Sequence, residues 1–212
     1  MKSYIYVQIL LIIIQTLLRM NLAQSRRCQY PLRPNDIQWK QLEGKTFYQT
    51  LNDGDAVSRD VACTKIYDIT PVKNGFKLIL EKYLFRSLEN PDVVRLHANK
   101  VKGGFYMLDK SIEPAMLYDI VEENGEINEN AVLENTDVMF GDLEFQLTDY
   151  ENYFIVVRCS KEGRWYLRPH TRSPVPNAED VLRIWRALYK NGINQPLFMS
   201  HCSDVLQFNT LA

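Results

Sequence analysis

The sequence predicts an all-β protein, a meander of short antiparallel strands that closes on itself, with one helix after it. Three observations carry this. Runs of alternating or β-branched residues recur at short intervals, and turn residues separate them. One segment of helical periodicity comes late, from Val181 to Tyr189. Before it, Leu147 to Cys159 reads as a sharp polar corner leading into an aromatic, β-branched strand that ends on a cysteine.

Lys2, the apolar run Ile9 to Leu18 and the small residues among Asn21 to Ser25 read as a secretory signal peptide over residues 1–25. Its apolar core is about ten residues, where a membrane span needs about twenty. No second apolar stretch of spanning length follows, so residues 26–212 are expected to form one exported, extracellular domain without a membrane span. The formal net charge of −1 argues against nucleic acid as a partner. Four cysteines in an exported chain imply two disulfides, with three possible pairings.

Ile37 to Tyr48 leads past Gly44 into the first strand. Val61 to Thr70 alternates well enough for a second, and Lys73-Asn74-Gly75 turns the chain into Phe76 to Tyr83. There the two-residue period sets Phe76, Leu78 and Leu80 on one face and Lys77 and Glu81 on the other. Val93 to Lys102, Phe105 to Leu108, Ala115 to Val121 and Val138 to Leu147 continue the series, and closure would remove exposed edges. Thr148, Asp149 and Asn152 can hydrogen-bond their own backbone at the corner before Tyr153 to Cys159. Lys161-Glu162-Gly163 then turns into Arg164 to Arg168, and Asn177 to Asp180 caps a helix carrying Val181, Leu182, Ile184, Trp185, Leu188 and Tyr189, with Gly192 past its end.

Three of these stretches resemble the signatures of the lipocalin family. Thr148-Asp149-Tyr150 matches the corner between the sixth and seventh strands, and Arg172, in Arg-Ser-Pro-Val-Pro, matches the arginine that packs over the barrel floor, with Arg168 as the alternative. Gly44 matches the glycine of the first signature, but Thr46 stands where the family has tryptophan, so Phe47 or Trp39 closes the floor or the bottom packs differently. The resemblance implies an eight-stranded antiparallel up-and-down barrel with one C-terminal α-helix packed outside. Cysteine order and spacing resemble the apolipoprotein D and insect bilin-binding branch, which implies Cys28 paired with Cys159 and Cys63 with Cys202. Loops this long are worth roughly 4 to 5 kcal/mol each by chain entropy before strain.

Catalytic and metal signals are missing from the sequence. His97, His170 and His201 are scattered, and no metal-ligand spacing, phosphate loop or nucleophile elbow occurs. An isomerase relative uses a free thiol, whereas the implied disulfides occupy all four cysteines here, so no enzymatic activity is expected. The nitrophorin group holds haem through a barrel histidine, which singles out His97, although the parity of Arg95 places His97 on the solvent face. Strand alternation and the family register point Tyr48, Ile66, Asp68, Leu78, Phe140, Tyr153 and Trp165 inward as ligand-binding residues. An inward Asp68 would need a buried cationic or hydrogen-bonding partner.

The resemblance thus implies a secreted carrier of a small hydrophobic ligand. It needs no cofactor and could hold biliverdin or another hydrophobic chromophore, a steroid, a fatty acid or a pheromone-like molecule. The alternative is a salivary triabin-like member that binds a host protein by its outer surface, or one that scavenges haem or amines. A homo-oligomer is compatible with either.

Overall fold

A 3₁₀ turn at Trp39–Gln41 precedes two short strands, β1 (Phe47–Tyr48) and β2 (Leu51–Asn52), and a short helix, α1 (Ala56–Asp60). Three long strands follow, β3 (Val61–Val72), β4 (Gly75–Leu84) and β5 (Ser87–Lys102), then β6 (Phe105–Leu108), β7 (Glu144–Thr148), β8 (Tyr153–Cys159) and β9 (Trp165–Thr171). Helix α2 (Ala178–Lys190) and β10 (Phe198–Met199) complete the chain. This is the arrangement in a computed structural model that describes residues 28–31, 34–109, 143–160 and 163–205. The expected signal peptide, the expected strand from Ala115 to Val121, and Phe140 lie outside the described residues.

Strands β1, β3, β4, β5, β6, β7, β8 and β9 pair antiparallel in that order, and β9 returns to β1 through Thr171 opposite Tyr48. The result is a closed eight-stranded barrel in which each strand has a hydrogen-bonded neighbour on either side. Strand β2 pairs instead with β10 in a small second sheet. The β3–β4 turn depends on Gly75, whose φ of 147° suits glycine and where a Cβ would meet the Ala98 carbonyl oxygen at 1.9 Å.

Two irregularities in β3, between Val61 and Cys63 and between Tyr67 and Thr70, decide which residues face inward. The first turns Ala62 and Cys63 outward against Cys202, while the second lets Ile66 and Ile69 both join the inner core. Asp68, with φ of 52°, bulges out at this second point and is exposed. Its short polar side chain tolerates the left-handed backbone better than a branched one would.

Helix α2 begins with a capping box, in which the Asn177 side chain accepts from Asp180 N and the Asp180 side chain accepts from Asn177 N. Its Ile184 and Leu188 are buried against Phe105, Phe145, Ile155, Val157 and Leu167, which are the outer faces of β6 to β9. Each such side chain, fully buried, is worth about 1.5–3 kcal/mol. Leu182 and Tyr189, although apolar, face solvent. The disulfides join Cys28 to Cys159 and Cys63 to Cys202, the pairing implied by the resemblance.

Candidate ligand cavity

One end of the barrel is shut by aromatic packing. Trp39 reaches in from the 3₁₀ turn and stacks on Phe76 with ring centroids 3.7 Å apart, while its Nε1 donates to the Tyr106 hydroxyl at 2.9 Å. Phe47 lies beside Phe154, and the exposed Arg172 covers it from outside, its guanidinium 5.1 Å from the ring centroid, while donating to the Thr46 carbonyl. The aromatic floor is thus supplied by Trp39 and Phe47 together, with Thr46 at the expected tryptophan position. Thr148 Oγ1 frames this end by accepting from Tyr150 N and donating to the Tyr153 carbonyl. Asp149 accepts from the backbone of Glu151, Asn152 and Tyr153 and from the Asn152 amide. Burial opposes the charge on Asp149, yet these donors hold its carboxyl below the ordinary value. Lys45 ties the corner to the floor by donating to the Tyr150 carbonyl.

Above the floor is an internal cavity of about 120 Å³. Ile66, Phe76, Leu78, Leu80, Leu96, Leu108, Phe154 and Val156 give it an apolar lining. The opposite wall is polar. Strands β7 to β9 present Glu144, Arg158, Tyr166, Arg168 and His170 to the cavity. Glu144, with its side chain 3% exposed, accepts from Arg158 Nε at 2.9 Å and Nη2 at 2.5 Å, and from Gln146 Nε2 at 2.8 Å.

Arg168 reaches out of β9 to the loop before α1, pairing with Asp53 at 2.9 Å and with Asp55. Burial raises the Asp53 pKa in spite of Arg168. At Asp55 the burial penalty is outweighed by Arg168 and Ser58, and the pKa falls. Because Ser58 and Val61 also line the cavity, this clamp fixes one margin of the pocket to its polar wall.

His170 is 2% exposed. Its Nδ1 lies 2.8 Å from the Arg168 carbonyl oxygen, which can only accept, so the ring proton sits on Nδ1. That leaves Nε2 as a bare acceptor, buried and without a hydrogen-bond partner. Burial, with the Arg168 cation adding to it, pushes the His170 pKa down to about 4, so the ring is neutral near pH 7.

No protein-family model matches the sequence, and no curated protein does. The structure, however, is similar to solved ones. One is Per a 4, a major allergen from cockroaches, with a TM-score of 0.53 at 12% identity over 85% of this chain and 99% of that one. Another is lobster apocrustacyanin A1, with a TM-score of 0.50 at 10% identity over 77% and 78%. The fold is that of a lipocalin. At such identities the likeness speaks to the fold and leaves the cargo open.

Within the lipocalin barrel, two of the residues the sequence pointed inward do line the cavity, Ile66 and Leu78. Four do not. Tyr48 packs outside, beside the Cys63–Cys202 bridge, and Asp68 is turned out by the bulge. Tyr153 and Trp165 belong to the outer cluster beneath α2, because β8 and β9 are buried on both faces and their inward positions are Phe154, Val156 and Arg158, and Tyr166, Arg168 and His170. His97 stands on the outer face of β5, between the inward-facing Leu96 and Ala98 and 3.9 Å from Asp109, so it offers no nitrogen to the cup. The cavity histidine of the lipocalin cup is His170, which sequence reasoning left among the scattered ones. Arg168, weighed as the floor arginine, belongs to the cavity wall instead. Among the described residues, no group of three or more metal-ligating side chains could hold an ion, and no helix is long and apolar enough to cross a membrane.

Proposed function

We propose that the chain is a secreted carrier that holds a small hydrophobic molecule inside the barrel. The observation that carries this reading is the internal cavity, with an apolar surface that includes Ile66, Phe76, Leu78 and Leu80, polar groups concentrated on β7 to β9, and Gln49, Ser58, Thr64 and Lys82 adding others from elsewhere around it. Removing an apolar ligand from water drives binding, and walls already fixed by barrel closure and two disulfides keep the ordering cost low. The cysteine arrangement supports a relation to the apolipoprotein D and bilin-binding branch, and with it cargo such as biliverdin, a steroid, a fatty acid or a pheromone-like molecule. Binding requires no cofactor and no catalytic group.

The test is an absorption spectrum of the protein from its natural source, followed by mass spectrometry of what organic solvent extracts. A stoichiometric small molecule, coloured or not, is the expected result. Protein that yields none, and that takes up no candidate pigment, steroid or lipid on incubation, refutes the carrier reading and favours an outer surface that binds another protein.

A further inference from the structure

Apart from Ser58 Oγ at the α1 margin of the cavity, the β7 to β9 wall holds two buried side-chain atoms without hydrogen-bond partners, His170 Nε2 and Gln146 Oε1. Both are acceptors. His170 donates its Nδ1–H to the Arg168 carbonyl. Gln146 donates through Nε2 to the Glu144 carboxylate, which fixes the amide orientation and leaves its oxygen unpaired. Strand β8 lies between them in register, with Phe154 opposite His170 and Val156 opposite Gln146. Phe154, Val156 and His170 all border the cavity. The wall's guanidinium groups have their own carboxylates, Glu144 for Arg158 and the Asp53–Asp55 pair for Arg168.

A buried acceptor left unpaired forfeits the hydrogen bonds it would make to water, and proteins seldom leave one so. A ligand that brings a donor to this wall recovers that loss, whereas one that brings only carbon or an ether oxygen does not. A carboxylate is worse placed, since it sets its own lone pairs against the imidazole's in a region of low dielectric.

We propose that the cargo carries a neutral hydrogen-bond donor, a hydroxyl or an N–H, on the part that meets the buried wall, and that His170 Nε2 accepts from it. This rests on the carrier reading and narrows it to a class of ligand. Burial that keeps His170 neutral supports it, because a protonated ring would instead welcome an anion.

The experiment is calorimetric titration of the full-length mature protein at pH 7.5 with three probes of matched chain length, 1-octanol, methyl octyl ether and octanoate. The alcohol is expected to bind about tenfold tighter than the ether, and octanoate more weakly than the alcohol. In His170→Leu the preference for alcohol over ether should fall to about one. Equal binding of alcohol and ether by the unmutated protein, or tightest binding by octanoate, overturns the donor requirement and leaves the carrier reading standing. Should none of the three bind, the donor requirement falls, and the carrier reading is decided separately by the extraction and uptake of pigment, steroid or lipid. The probe series on the unmutated protein decides the matter even if the leucine variant does not fold.

Discussion

The ion pair inside the barrel gives the sharpest test of how the cavity wall is held. Glu144→Leu removes the acceptor for three N–H groups, Arg158 Nε, Arg158 Nη2 and Gln146 Nε2. Breaking a buried pair from one side costs about 3–5 kcal/mol, because a charge is left without this counterpart in a poor solvent. Arg158 is 12% exposed and borders the cavity, where water can reach it, so the low end applies, about 3 kcal/mol. The double variant Glu144→Leu with Arg158→Met removes both charges and fills the wall with apolar atoms. Only the Gln146 donor loses its carboxylate then, and the expected cost is about 1 kcal/mol. Urea unfolding followed by tryptophan fluorescence at pH 7.5 measures both, with the m-value checking that a common transition is compared. The single variant should therefore be less stable than the double. A double variant as unstable as the single, or more so, would refute the reasoning and mean that the wall is held by packing alone.

Other consequences are open to the same measurement. Trp39→Ala empties the floor beside Phe76 and should cost about 3–5 kcal/mol, while Trp39→Phe keeps an aromatic ring and loses the bond to Tyr106, about 1 kcal/mol. Replacing Cys63 and Cys202 together by serine frees a segment with a sequence separation of 139, worth about 5 kcal/mol by chain entropy. Asp149→Ala, which strips the corner of one charged acceptor, should cost about 2 kcal/mol at pH 7. His170 has a lower pKa folded than unfolded, so the fold prefers the neutral ring: its contribution is complete above pH 6.5 and is lost as pH falls toward about 4. Roughly 3 kcal/mol of stability should disappear across that window, and His170→Leu should remove this part of the pH dependence; an unchanged slope in the variant would exclude His170 as its source.

The barrel was legible in the sequence wherever one face of a strand is wet. Phe76, Leu78 and Leu80 alternate with Lys77 and Glu81, and the apolar set does line the interior. The corner at Thr148–Asp149 and the cap at Asn177 could be read as well, because their chemistry is local: a short polar side chain bonds a backbone N–H a few residues on. Asp68, which alternation pointed inward, faces out, since an irregularity in the strand at this point breaks the alternation and period-two reasoning carries no warning of a bulge. Trp39 was weighed for the floor, but only the closed barrel shows that a side chain from the turn before β1 crosses to Phe76 and Tyr106.

Strands β8 and β9 pose a different difficulty, and it explains why His170 was passed over. Along β9 the polar set Tyr166, Arg168 and His170 alternates with Trp165, Leu167 and Pro169, which by the usual rule puts the polar set in water. Helix α2 inverts that rule. Its buried Ile184 and Leu188 need an apolar surface to cover, and the surface they cover is the outside of β6 to β9. Once the apolar sets of β8 and β9 are assigned to the helix, the remaining parity has nowhere to go but the barrel interior, and Arg158, Arg168 and His170 must face the cavity. The signal for the polar wall was therefore in the sequence, in an amphipathic helix following strands that alternate. It required asking which sheet face the helix would take before asking which residues face in.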